Sequence, residues 1–205
     1  RRLRSVEFAR RYGVAIHVRS SFSDAPGTWI VQGEENMEQA IVSGVTYALE
    51  EAKVTLHRVP DKPGVAARVF TALANANINV DMIIQNVSEG GTTDISFTVS
   101  EDDVQTVTAR LSALQQELGF ERLETDTNMA KVSLVGAGMK THPGVAAKMF
   151  EVLAANGINI EMISTSSIKI SCVIEKQHTE RAVQALHQAF QLQAEQVERD
   201  ETLGG

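Results

Sequence analysis

Two similar places in the sequence combine residue types that suit the recognition of a free amino acid. Pro63-Gly64 and Pro143-Gly144 each precede a helical pattern, and the start of a helix offers backbone N–H groups and a positive dipole end to a carboxylate. Further along, Asn79-Val80-Asp81 and Asn159-Ile160-Glu161 supply oxygen atoms that accept hydrogen bonds from an ammonium group. A carboxylate and an ammonium group together define an amino acid. The alternative is that Asn79 and Asn159 only cap or turn the chain.

Other motifs with chemical potential are weak. Gly136-Ala-Gly138 follows a predicted strand and resembles half of a dinucleotide-binding turn, but Thr141 stands where a third glycine is needed, which favours a flexible loop. None of the five histidines has a second ligand at metal-binding spacing. Cys172 falls on the apolar stripe of a predicted strand, which favours a buried and unreactive thiol. We therefore predict no catalytic residue, no metal site and no cofactor site in this chain.

An internal repeat organises the chain. Residues 63–83 align with residues 143–163 at an offset of 80, and 12 of these 21 positions are identical. A repeat of about 80 residues is too long for a solenoid unit and has the size of a small domain. We therefore expect two copies of one domain, which begin near Lys53 and Met129.

Each copy predicts the same order of elements, which is strand, helix, strand, strand, helix, strand. The β-branched runs Lys53–Val59 and Lys131–Val135 are typical of strands. Apolar residues at i, i+3, i+4 and i+7 then predict one buried helix face in each copy, formed by Ala66, Val69, Phe70 and Leu73 and by Ala146, Met149, Phe150 and Leu153. This order predicts an α+β fold of two ferredoxin-like βαββαβ domains in tandem, with antiparallel sheets and helices on one face.

The second copy lacks a good fourth strand, because Gln191–Gly205 is polar and charged. Alternating polar and apolar residues predict a strand at Ile41–Leu49, ahead of the first copy, and we expect it to complete the second sheet. The predicted organisation is the tail of a larger domain at 1–22, a linker at 23–40, the added strand at 41–52, the first domain at 53–128, the second domain at 129–192 and a polar tail at 193–205.

Composition excludes several classes of protein. The 205 residues are 43% hydrophobic with a net charge of −7, which is ordinary for a globular protein and unsuited to binding nucleic-acid phosphates. An RNA-binding sheet of this type needs aromatic residues on its central strands, whereas aromatic residues make up only 5% of the chain. No apolar run reaches the roughly 18 residues of a membrane span. A single cysteine favours the reducing cytoplasm, and the start at Arg1 suggests a fragment or a processed subunit.

The motifs of both copies closely resemble the regulatory region of bacterial aspartokinase, which is built from ACT domains, small amino-acid-sensing modules. The resemblance rests on Asp61–Gly64, Asp81–Val87, Thr92–Phe97, Lys131–Lys140, His142–Val145 and Glu161–Ser166. The stretch from Val6 to Phe22 resembles the final helix and strand of that family's kinase domain, followed by the linker. The chain is most similar to the type that lysine and threonine inhibit, whose small subunit carries only this region.

The resemblance implies a feedback-regulatory part that binds lysine, threonine or both and that forms a homodimer through its ACT domains. The kinase of this family phosphorylates the side-chain carboxylate of aspartate with ATP, and its nucleotide and aspartate motifs are absent here. We therefore expect the chain alone to be non-catalytic, with ATP and Mg²⁺ needed only by a kinase domain or subunit that partners it. Two alternatives remain, namely a structural dimerisation module without an effector and the sensor of a different enzyme.

The resemblance also assigns effector contacts. In the first copy they fall on Asp61, Asn79, Val80, Asp81 and Gln85, and the argument from the helix start adds Gly64, Val65 and Ala66. In the second copy they fall on Val145, Ala146, Asn159, Ile160, Ser166 and Ser167, and the helix start adds Gly144. Ser167 stands where close relatives have an acid, which weakens the case for a lysine contact at that position.

Overall fold

The computed structural model describes residues 6, 8–9, 11–30, 41–86, 90–136, 139, 142 and 144–192. The predicted polar tail at 193–205, residues 31–40 of the predicted linker, Gly138, Thr141 and Pro143 lie outside these residues. The chain divides into two compact units, Arg1–Gln39 and Ala40–Gly205. No helix among the described residues is long and apolar enough to cross a membrane.

The first unit contains a short antiparallel hairpin of β1 (Ile16–Val18) and β2 (Thr28–Ile30). The ring of Trp29 stacks on the ring of His17 with their centroids 3.9 Å apart. The range 23–40 was expected to be a linker throughout, so β2 is a strand that this prediction missed. Its three residues are too few to show a periodic pattern, and the Pro26-Gly27 pair before it is typical of a turn.

The second unit is built on one six-stranded antiparallel sheet in the order β4-β5-β3-β6-β8-β7. Its strands are β3 (Gly44–Pro60), β4 (Ile83–Gln85), β5 (Thr92–Ser100), β6 (Arg122–Val135), β7 (Met162–Thr165) and β8 (Lys169–Glu175). Its helices are α1 (Val65–Asn75), α2 (Val104–Ala113), α3 (Gln115–Leu118), α4 (Val145–Ala155) and α5 (Thr179–Ala189).

The two longest strands each serve both copies of the repeat. The first half of β3, Gly44–Ala48, pairs with Lys131–Val135 of β6, while its second half pairs with β5 of the first copy and with the first half of β6. Each copy thus has four strands in the ferredoxin-like arrangement, and the fourth strand of the second copy comes from ahead of the first. We expected two separate sheets, but the continuity of β3 and β6 joins them into one.

The ladder between β3 and β6 has a local two-fold symmetry. An offset of 78 takes residues 44–57 of β3 to residues 122–135 of β6, and pairs of residues exchange places across the ladder under this offset. Ala48 pairs with Lys131, Lys53 with Asp126, Gly44 with Val135 and His57 with Arg122. Glu51 lies opposite Met129, its own counterpart, so the local axis passes between these two residues.

The helices cover one face of the sheet and form two apolar cores with it. The first core contains Val54, Leu56, Val69, Leu73 and Phe97, all of them fully buried. The second core contains Val132, Leu134, Met149, Leu153 and Cys172, which are also fully buried. Both predicted helix stripes are confirmed, because the residues at i+3 and i+7 of each stripe lie in these cores.

The second helix of the first copy is shorter than its periodicity predicts. The apolar residues from Val104 to Leu118 suggest one helix, but the structure breaks it at Leu114 into α2 and α3. The short α3 is followed by Gly119, whose left-handed φ of 74° lets the chain turn towards β6. Its last residue, Leu118, remains in the first core.

Candidate functional site

A pocket of about 320 Å³ lies at the start of α1 in the first copy. The loop from Val59 to Gly64 forms one wall, the first residues of α1 form a second wall, and β5 supplies Thr93 and Ile95. The structure brings five of the predicted effector residues together here, which are Asp61, Gly64, Val65, Ala66 and Gln85. This pocket therefore combines a helix N-terminus, a carboxylate and a side-chain amide, a set of groups that suits an amino-acid ligand.

The backbone around this pocket is held in place by hydrogen bonds from outside it. The N–H of Asp61 donates to the carbonyl of Gly91 at 3.0 Å. Gly64, which precedes α1, has a φ of 92°, so a side chain at this position would strain the entry into the helix. No atom lies within 4 Å of the place where a Cβ of Gly64 would stand, and the glycine is therefore needed for its backbone conformation rather than for space.

Asp94 controls the bulge that leads into the pocket loop. The register of β3 against β5 shifts between Leu56 and Val59, and Arg58 adopts a left-handed φ of 54° there. The Arg58 N–H donates to Asp94 at 2.8 Å, and this hydrogen bond is the main reason that the pKa of Asp94 lies below its usual range. His57 lies between Asp94 and Glu124, with its ring nitrogens 3.2 and 3.1 Å from their oxygens. No local sequence pattern indicates this role, because the partners His57 and Arg58 lie 37 and 36 residues away along the chain.

The segment Asn79–Asp81 does not line this pocket. Asp81 instead forms an ion pair with Lys131 of the second copy, which also contacts Glu51. The hydrogen bond from Lys131 lowers the pKa of Asp81. Burial alone would lower the pKa of Lys131, but its hydrogen bonds to Asp81 and Glu51 raise it above its ordinary value. In a single chain, Asp81 and the pocket residues are therefore separate.

The corresponding acid of the second copy, Glu161, is also paired across the repeat. Its carboxylate lies 2.7 Å from the ammonium of Lys53, and this contact is the main cause that lowers the pKa of Glu161. The side-chain amide of Asn159 donates to the other carboxylate oxygen at 2.9 Å. Ser166 lies in the turn between β7 and β8, where its hydroxyl donates to the Lys169 carbonyl at 3.3 Å.

The second copy has a different pocket at the start of α4. It measures about 450 Å³ and contains two predicted residues, Gly144 and Val145. Its other walls come from Ile41 and Val42 ahead of β3 and from the end of α5. Five predicted effector contacts lie outside it, which are Ala146, Asn159, Ile160, Ser166 and Ser167. The pockets of the two copies therefore differ, because the segment ahead of β3 borders the second pocket and not the first.

The described residues contain no group of three or more histidine, cysteine, aspartate or glutamate side chains that could hold a metal ion. Cys172 is fully buried in the second core, and burial raises the pKa of its thiol to about 12. Such a thiol is protonated at neutral pH and cannot act as a nucleophile.

Comparisons with known proteins identify the two repeats. The ACT domain family matches residues 54–116, and a second ACT domain match covers residues 132–190. The aspartokinase of Mycolicibacterium smegmatis is 52% identical over 93% of this chain and 46% of its own length. The regulatory subunit of aspartate kinase from Thermus thermophilus, solved in a ligand-free form, is 44% identical with a TM-score of 0.70 over 73% of this chain and 99% of that one.

The chain belongs to the aspartokinase family. Its two ACT domains form the regulatory region, and both the resemblance and the α+β fold predicted from the sequence are confirmed. The chain spans about half the length of the curated aspartokinases that it matches. A more distant structure, aspartokinase III of E. coli in complex with lysine and aspartate, is 26% identical with a TM-score of 0.67 over 91% of this chain and 41% of that one.

Proposed function

We propose that this regulatory region binds free lysine, threonine or both and thereby mediates feedback inhibition of an aspartokinase. The pocket of the first copy carries the proposal, because it gathers Asp61, Gln85 and the start of α1 around a volume suited to a small ligand. The α-carboxylate of the effector accepts hydrogen bonds from the helix start, and its ammonium donates to Asp61. Gln85 contacts the side chain of the effector.

The complex of E. coli aspartokinase III with lysine supports an amino-acid effector, since that protein shares this fold. In the proposed assembly, two chains pair through their ACT domains, and the segments Asn79–Asp81 and Asn159–Glu161 of one chain approach a pocket of the other. An effector held by both chains stabilises the dimer. A kinase domain or subunit then responds to the shift between two arrangements of the ACT domains.

Isothermal titration calorimetry of the purified chain with threonine and with lysine, separately and together, tests the proposal. A charged hydrogen bond contributes roughly 1.5–3 kcal/mol, so Asp61→Asn should weaken binding about ten-fold or more. Asp102→Asn is the matched control, because Asp102 is exposed and lies outside the pocket. Absence of both heat and thermal stabilisation with either amino acid at millimolar concentration would contradict the proposed function.

A further inference from the structure

Two ion pairs cross between the repeats at corresponding positions. Lys131 of the second copy contacts Asp81 of the first copy. Its counterpart in the first copy, Lys53, contacts Glu161 of the second copy. Glu161 occupies the position that Asp81 occupies in the first copy. The local two-fold symmetry of the β3–β6 ladder thus extends to these side chains. The same cross-repeat contact therefore occurs twice, at symmetry-related places.

The acids of the two ion pairs are the last residues of the segments Asn79–Asp81 and Asn159–Glu161. The family resemblance places effector contacts in both segments. The backbone N–H of Asp81 donates to the Thr98 carbonyl at 3.1 Å, and that of Glu161 donates to the Val173 carbonyl at 2.8 Å. The backbone of each acid is therefore anchored to its own copy, while its carboxylate is held by a lysine of the other copy. A movement of either segment must break or stretch a contact with the opposite repeat.

A third buried apolar cluster lies next to both segments. It contains Met82 and Met162, the residues that directly follow the two acids, together with Met129 and Val173. All four are at most 4% exposed. Met129 lies beside the local two-fold axis, so the cluster joins the two segments at the centre of the sheet. Displacement of one segment moves a methionine that packs in the cluster shared by both.

We propose that Lys53 and Lys131 are positioning residues, each of which holds the effector segment of the opposite repeat and so couples the two segments to each other. The inference rests on the proposed function only in taking these segments to be effector-binding. Lys131 contributes more than Lys53, because its side chain is 15% exposed and its second partner, Glu51, is 12% exposed. The consequence is that an effector which displaces one segment changes the stability of the other.

Hydrogen exchange of single backbone amides tests this coupling without any effector. Lys131→Met should speed exchange of the Asp81 amide about five-fold, because an ion pair that is partly buried contributes more than an exposed one. Lys53→Met should do the same to the Glu161 amide. In both variants the larger change lies in the repeat that does not carry the substitution. Lys131→Arg, which keeps the charge, should restore slow exchange at Asp81.

Lys176→Met is the matched control. It breaks the ion pair between Lys176 and Glu101, whose charged atoms lie 3.0 Å apart. This pair also joins the two repeats, but it contacts neither segment. This control should leave both amides unchanged. The inference is overturned if the faster exchange is confined to the substituted repeat, or if Lys176→Met produces the same pattern. If Lys131→Met unfolds the chain, the exchange pattern of Lys53→Met tests the inference instead. Lys53 pairs with one acid, Glu161, whereas Lys131 pairs with two, so replacing Lys53 leaves fewer charges unpaired.

Calorimetry with threonine and lysine then separates this inference from the proposed function. If the wild-type chain binds, Lys131→Met should weaken binding about five-fold and Lys176→Met should not. If the wild-type chain gives no heat, the sensor proposal fails, and the exchange pattern alone decides whether the segments are coupled. Binding that is identical in wild type and Lys131→Met would overturn the positioning role.

Discussion

Replacing Gly136 with alanine should separate the added segment from the second copy. The N–H of Gly136 donates to Ile168 at 3.0 Å, and its Cα lies against the backbone ahead of β3. A Cβ at this position would stand 2.0 Å from the Ile41 carbonyl oxygen and 2.9 Å from the Cα of Val42. Both neighbours are main-chain atoms, which cannot rotate away as a side chain does. The segment must therefore move.

The expected loss of stability follows from what this movement exposes. Overpacking a well-packed site costs about 1–3 kcal/mol, and Val42, which is 5% exposed in the second core, is worth about 1.5–3 kcal/mol when buried. We expect Gly136→Ala to lower the free energy of unfolding by about 3 kcal/mol. For a chain of this size that corresponds to a fall in melting temperature of about 6–12 °C. Urea unfolding followed by circular dichroism and differential scanning calorimetry measure the two quantities.

Gly44→Ala is the control, because Gly44 lies opposite Val135 on the same ladder and no atom stands within 4 Å of its Cβ position. It should change the stability by less than about 1 kcal/mol, with a small gain possible from a stiffer unfolded chain. Equal destabilisation by the two substitutions would refute the argument that contact with the Ile41 backbone requires glycine at position 136.

Three further predictions follow from the ion pairs, the buried thiol and the missing kinase motifs. The pKa of Glu161 in the folded chain lies below its ordinary value of 4.5, so its pair with Lys53 adds stability above that pH, and this stability is lost as the pH falls through the folded pKa. When unfolding is measured at decreasing pH, the free energy of unfolding of the wild type should fall by about 1 kcal/mol more than that of Glu161→Gln, given partial solvent screening. Parallel curves for the two proteins would contradict this. Cys172 should resist a thiol reagent at pH 8 in the native state and react once the chain is unfolded in urea; fast reaction of the folded chain would show that the core opens. The purified chain should transfer no phosphate from ATP to aspartate in a coupled ADP assay, and turnover above background would show catalytic groups that we did not find.

The sequence predicted the helices of this fold better than its strands. Val69, Leu73, Met149 and Leu153 were assigned to buried helix faces by spacing alone, and all four are fully buried. The continuity of β3 was not predicted, because the alternating run Ile41–Leu49 and the β-branched run Lys53–Val59 were interpreted as two separate strands. Glu51 is tolerated there because Lys131 neutralises it. That partner lies 80 residues along the chain, and no local pattern indicates it.

Part of the candidate pocket follows from the sequence: the helix-start argument indicated Gly64, Val65 and Ala66, and the family resemblance indicated Asp61 and Gln85. Asp61 and Gln85 meet in the first pocket although 23 residues of helix and loop separate them. Asp81 was expected near an effector ammonium, whereas in the single chain it meets the ammonium of Lys131. Periodicity identifies the face on which a side chain lies but not its long-range charge partner, so the fates of Asp81 and Glu161 could not be read from spacing.

The shared strand β3 has a consequence for the order in which the chain folds during synthesis. The first half of the strand, Gly44–Ala48, leaves the ribosome early, but its partner Lys131–Val135 follows only after the whole first copy has been made. The first copy has all its strands once the start of β6 is available, so it folds as a unit before the second. The second copy must then close a loop that contains an already folded domain. Its folding therefore begins on Gly44–Ala48, a strand segment that the folded first copy already holds in place.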